Sequence, residues 1–106
     1  MLLRTPNSPP IIKPLAAGTA RPLWSVMIPA YNCIAFLEKT LESVLIQDYG
    51  DDNMQIEVVD DCSTDGNIEE LVQKISKGRV GYFRQNTNVG SLRNFETCLN
   101  RSKGRW

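Results

Sequence analysis

The chain has 106 residues, balanced acids and bases, three cysteines and no histidine, which bounds it to one small domain with a modest core. Without imidazole, Ser-His or Cys-His catalysis is excluded, and Cys33, Cys62 and Cys98 are too widely spaced to make a zinc site. No run approaches the ~20 apolar residues of a membrane span. Basic residues lack the interleaved aromatics of a nucleic-acid surface. A cytoplasmic chain with reduced thiols, no membrane segment and no nucleic-acid partner is therefore expected.

Residues 1–22 hold five of the six prolines and show no hydrophobic period, so they read as a flexible leader, with the folded part spanning 23–106. Arg4 and the prolines around it also interrupt any apolar stretch of signal-peptide length. Trp24 to Ile28 is predicted as the first strand, stopped by Pro29. Asn32 is placed to cap a helix whose apolar positions are Ile34, Leu37, Leu41, Val44 and Leu45. Tyr49 to Asn53 is turn chemistry, and Gln55 to Val59 is the second strand.

That strand ends in Asp60 and Asp61, after which Thr64 or Asp65 is predicted to cap a second helix with Ile68, Leu71, Val72 and Ile75 inward. Lys77-Gly78-Arg79 closes it, and Val80 to Phe83 is the third strand. After a turn at Asn86 to Gly90, Leu92, Phe95 and Leu99 mark the apolar face of a third helix. Charge is segregated, with Lys39 the one base between Glu38 and Glu70 and Glu96 the one acid from Lys77 onward.

Strands alternating with helices imply parallel strands joined by right-handed crossovers. The fold expected is α/β, a Rossmann-like three-layer sandwich around a parallel sheet of three strands. All three strands then present their C-terminal ends at one edge. That edge gathers Pro29-Ala30-Tyr31-Asn32, Asp60-Asp61 and Asn86 to Gly90, the place where open α/β sheets bind nucleotides.

The chemistry fits that use. Tyr31 can stack on a base or serve as a structural tyrosine, and Asn32 can cap a helix or bond a ligand. A carboxylate at Asp60-Asp61 can accept from a ribose hydroxyl or from the ring N–H of a uracil, or can merely cap a helix. Gly90 allows close backbone approach, and Arg93 at the following helix start suits a diphosphate or a solvated helix face. The glycine patterns of dinucleotide-binding folds and P-loops are absent.

In order, SVMIPAYN, Ser43 to Gln47, VVDDCSTDG, and Asn88-Val89-Gly90 with Arg93-Asn94 resemble the N-terminal half of a family 2 glycosyltransferase. The resemblance runs from about Leu23 to Trp106. It implies a GT-A fold with strand order 3-2-1, and transfer of a sugar from a nucleoside-diphosphate donor of the uridine type to an acceptor that stays unknown. Carried over, it puts Pro29, Ala30 and Tyr31 around the base and makes Asp61 the contact to a uracil-type ring, with Asp60 beside it. The family usually has glycine where this chain has Cys62, so the backbone there is expected to avoid a glycine-only conformation. The third block is shorter than the commoner version, which leaves Arg93 and Asn94 as alternatives for its polar residue.

The resemblance also implies a further strand after Lys103 to Trp106, lying beside Trp24 to Ile28 and ending in an Asp-x-Asp motif that holds Mg²⁺ or Mn²⁺. On that reading no catalytic or metal-binding residue lies within the 106 residues, the chain is inactive alone, and the first strand carries an apolar unpaired edge. A non-catalytic nucleotide-binding or interaction module is the alternative. A response-regulator receiver fits worse, because its acid pair follows the first strand.

Overall fold

The computed structural model describes residues 5–106, so Met1 to Arg4 of the proposed leader lie outside the described residues. Six elements alternate: β1 Trp24–Ala30, α1 Ile34–Leu45, β2 Met54–Asp60, α2 Ile68–Ser76, β3 Gly81–Arg84 and α3 Ser91–Arg101. The strands form one parallel sheet in the order β1-β2-β3, with Ile28 opposite Val58 and Val59 opposite Phe83. The α/β layout and the 3-2-1 order are as expected.

Burial explains the arrangement. β2 is central and buried along almost its whole length, as a parallel strand covered on both faces must be. Leu37 and Leu41 of α1 and Ile68 and Val72 of α2 close over Ala30, Ile56 and Val58 in the main core. α3 covers the other face through Asn94 and Cys98, and Arg101 pairs with Glu57 while lying over the Phe83 ring. At Cys98 the same burial raises the thiol pKa.

Two local expectations are corrected, and the exposure of a third feature is set by packing. Pro29 lies inside β1 and does not stop it. The Ala30 carbonyl accepts from Asp61 of the β2 side, and alternation turns the Pro29 position to the outer edge, where no ladder bond to β2 is lost. The apolar row Leu92, Phe95 and Leu99 is half-exposed, and the buried positions of α3 are Asn94 and Cys98. Phe95 and Leu99 of that row rim an apolar hollow of about 450 Å³ shared with Met27, Pro29 and Trp106.

Finally, Cys62 has φ 62°, within the left-handed region that favours glycine. Its cause is Asp60, whose Oδ1 takes both the Ser63 N–H (3.1 Å) and its hydroxyl (2.6 Å) and folds the chain back within three residues.

The segments flanking the sheet are also bonded to it. Trp106 donates its N–H to Leu23 and accepts from Ser25, the pattern of a parallel pairing on the outer edge of β1. Gly104 donates to the Ser25 hydroxyl at 2.7 Å. From the N-terminal side, the Asn100 side chain accepts the Lys13 N–H and donates to the Ile11 carbonyl, and Arg21 caps the Lys103 and Gly104 carbonyls. Among the described residues no helix is long and apolar enough to cross a membrane.

Candidate functional site at the C-terminal edge of the sheet

The first two loops at this edge hold each other. Asn32, at φ 47°, accepts the Thr64 N–H on its side-chain oxygen (2.8 Å) and gives its own N–H to the Ser63 hydroxyl (2.9 Å). It does not cap α1. The cap position of α1 is Cys33, whose side chain makes no capping bond, and the Ile34 N–H is taken by Asp65 at 3.1 Å. Asp65 therefore serves α1, and α2 is capped by Asn67, which accepts from Glu70 at 3.0 Å. Each loop supplies the acceptor that the other loop's backbone requires.

The acid pair divides between the two sides of the sheet. Asp60 is fully buried, and besides Ser63 it accepts the Tyr82 hydroxyl at 2.6 Å and Arg84 at 3.1 Å. Burial, reinforced by that bond to Asp60, pushes the Tyr82 phenol up to about 12. Arg84 also approaches the Cys62 sulfur at 3.4 Å.

Asp61 points toward α3. Its carboxylate accepts Asn88 Nδ2 at 2.9 Å, Val89 N–H at 2.7 Å and Gly90 N–H at 3.0 Å. The third loop is thus wrapped around a buried carboxylate. Gly90 follows at φ 93°, a conformation that turns the chain into α3 and strains any residue with a Cβ. One turn on, Asn94 is buried, donating to the Val59 carbonyl at 2.9 Å and accepting from Gln85 at 3.2 Å.

Between these loops lies a pocket of about 440 Å³. Pro29, Ala30 and Tyr31 form one wall, and Asp61 and Asn94 its floor. Asn88, Ser91 and Phe95 complete it. Of the residues singled out from sequence, Pro29, Ala30, Tyr31, Asp61 and Asn94 are brought together, while Asn32, Asp60, Gly90 and Arg93 are not among its lining. Ser91 and Phe95 were missed. In the sequence Phe95 only marks an apolar helix face, because it shares a helical period with Leu92 and Leu99. The available signal was its place one turn into the helix that follows a glycine cap.

Among the described residues no group of three or more Cys, Asp or Glu side chains is placed to hold a metal ion.

The family model for Glycosyl transferase family 2 matches residues 25–106. The uncharacterized glycosyltransferase MG060 of Mycoplasma genitalium is 33% identical over 86 residues, covering 77% of this chain and 29% of that protein. The Escherichia coli UDP-Glc:alpha-D-GlcNAc-diphosphoundecaprenol beta-1,3-glucosyltransferase WfaP is 34% identical over 84 residues, covering 79% of this chain and 32% of WfaP. The mannosyltransferase PcManGT from Pyrobaculum calidifontis, solved in complex with GDP-Man and Mn²⁺, superposes with a TM-score of 0.66 at 26% identity. That match covers 91% of this chain and 28% of PcManGT, so the chain spans about three tenths of the length of these relatives. Its three parallel strands and covering helices are laid out as in that GT-A enzyme, and the chain belongs to glycosyl transferase family 2.

Proposed function

We propose that residues 23–106 form the donor-nucleotide half of a glycosyltransferase, and that the pocket between Tyr31, Asp61 and Phe95 holds the nucleoside of a uridine-type nucleoside-diphosphate sugar. The observation that carries this reading is the convergence of three loops of a family 2 chain on one pocket at the C-terminal edge of its sheet. The half-exposed rings of Tyr31 and Phe95 offer the apolar faces a base needs. Asp61 offers an acceptor for a ring N–H, and the start of α3 with Arg93 suits the diphosphate. Asn32, Asp60, Gly90 and Asn94 contribute by holding the loops.

The donor class is supported by UDP-Glc in the name of WfaP and by GDP-Man bound to PcManGT. The acceptor stays open. A cytoplasmic location belongs to the same reading, supported by three cysteines that form no disulfide.

The residues present do not fit a divalent metal. Asp60 spends its oxygens on Ser63, Tyr82 and Arg84, and Asp61 on the third loop. In this reading the metal ligands and the catalytic base come from an Asp-x-Asp segment and later residues outside 1–106, and the 106-residue chain alone transfers no sugar.

Titration calorimetry with UDP, GDP and ADP, with and without Mn²⁺, tests the pocket. Binding of UDP that does not require the metal is expected. Absence of heat with every nucleoside diphosphate contradicts the reading, and metal-dependent release of UDP from a UDP-sugar by this chain contradicts the placement of the catalytic groups elsewhere.

A further inference from the structure

Two side-chain amides near the C-terminal end of α3 hold backbone in the same way. The Asn100 carboxamide donates to the Ile11 carbonyl (3.2 Å) and accepts the Lys13 N–H (3.0 Å). The Gln55 carboxamide donates to the Arg101 carbonyl (3.0 Å) and accepts the Lys103 N–H (2.8 Å). Each spans a carbonyl and the N–H two residues on, the pair of bonds that a neighbouring parallel strand would make.

Residues 11–22 are thereby tied at both ends. Beyond the Asn100 bonds the chain turns at Ala16 to Thr19, where the Thr19 N–H and hydroxyl both go to the Ala16 carbonyl and Gly18 takes φ 80°. It returns to lay the Arg21 guanidinium on the Lys103 and Gly104 carbonyls, at 3.0 and 2.8 Å, and the Pro22 carbonyl on the Arg105 N–H. Ile11 is 81% and Ile12 49% exposed, so bonds rather than burial hold this stretch. Exposed hydrogen bonds are each worth little, and a segment held by a few of them opens without unfolding the sheet.

We propose that residues 11–22 form a releasable strap that locks Lys103 to Trp106 onto the outer edge of β1. Closed, the strap holds that segment through Arg21 and Pro22 while Ser25 and Gln55 hold it from the sheet. Opened, Trp106 leaves Leu23 and Ser25, and the hollow beside Met27 loses one of its walls. In this reading residues 11–22 belong to the fold rather than to a leader. The Asn100 end and the Arg21 end act as one unit, coupled along the chain that joins them.

The test uses amide hydrogen exchange and {¹H}–¹⁵N NOEs on the full chain in wild type, Asn100→Ala and Arg21→Ala. In wild type the amides of Ile11 to Lys13 are expected to be as rigid as those of α3. Loss of the Asn100 bonds should speed exchange at Lys13. It should also speed exchange at Arg105 and Trp106, whose amides are bonded to Pro22 and Leu23 rather than to Asn100, by about 3- to 10-fold. Arg21→Ala should in turn loosen Lys13 and lower the NOE at Ile12, and Val58 in β2 should stay slow in both variants. Acceleration confined to Lys13 in the first variant and to Arg105 and Trp106 in the second shows two independent contacts and overturns the strap. Residues 11–13 as mobile in wild type as the chain end overturn it as well.

Discussion

Asp60 and Asp61 are neighbours in the chain but serve opposite sides of the sheet: Asp60 accepts the Tyr82 hydroxyl at 2.6 Å, and Asp61 accepts the Val89 N–H at 2.7 Å. The alternation of side chains along a strand continues through the first residue of the loop. One carboxylate therefore organises the turn toward α2, and the other the turn into α3.

Asp60 is the more costly to change. Asp60→Asn keeps the volume but removes the charge facing Arg84 and places a donor among donors from Ser63, Tyr82 and Arg84. A loss of about 2–4 kcal/mol of unfolding free energy is expected, because those groups stay buried or half-buried without their acceptor. Urea unfolding measures it, and a loss below about 0.5 kcal/mol, as at an ordinary surface site, contradicts the role.

Alkali should expose the same contact. The Tyr82 phenol lies at about 12 against an ordinary 10.0, first through burial and then through Asp60. A proton held more tightly in the folded state stabilises it fully below pH 10, and that contribution is lost as pH rises from about 10 through about 12. The difference in stability between wild type and Tyr82→Phe should be constant up to pH 10 and shrink above it. A difference that does not change between pH 9 and 12, roughly the span of the shift, argues against it.

At acid pH the sign reverses. Arg79 grips Asp48 with two bonds, at 2.7 and 2.8 Å, and that hydrogen bonding lowers the Asp48 carboxyl below its ordinary 3.8. Its contribution is present above pH 3.8 and lost as pH falls through the depressed value. Asp48→Asn should therefore flatten this part of the acid unfolding curve. Asp51, bonded to the same arginine but 82% exposed, should change it little when replaced by Asn.

Gly104 tests the outer edge of β1. A Cβ there would lie 2.6 Å from the Ser25 backbone nitrogen, too close for the segment to stay in place. In Gly104→Ala the Trp106 and Ser25 amides should exchange about tenfold faster or more, since each 1.4 kcal/mol is a factor of ten. Unchanged exchange at both amides shows that the segment does not depend on this close approach.

The sequence made the frame of the fold readable because helical and strand periods alternate cleanly from Trp24 to Leu99. Boundaries moved by about a residue where strands ran on, as at Asp60 and Arg84. Caps are not legible locally because Asn32 meets the loop residue Thr64 and caps no helix, while Asp65 meets Ile34 of α1, across separations that local capping rules do not reach. The acid pair announced a site, but which side each carboxylate served depended on Tyr82 and on the Asn88–Gly90 loop. Phe95 was hidden for a related reason, since helical periodicity shows that residues share a face but not whether that face meets core or pocket.

Mapping UDP onto the ¹⁵N-labelled chain by amide chemical shifts tests the nucleotide pocket most directly. Shifts centred on Tyr31, Asp61, Asn88, Ser91 and Phe95 are expected, at the edge where those residues share one pocket. Shifts centred on Asp51, Asp52 and Gln55 at the opposite end of the sheet, or no shifts at saturating UDP, would contradict it.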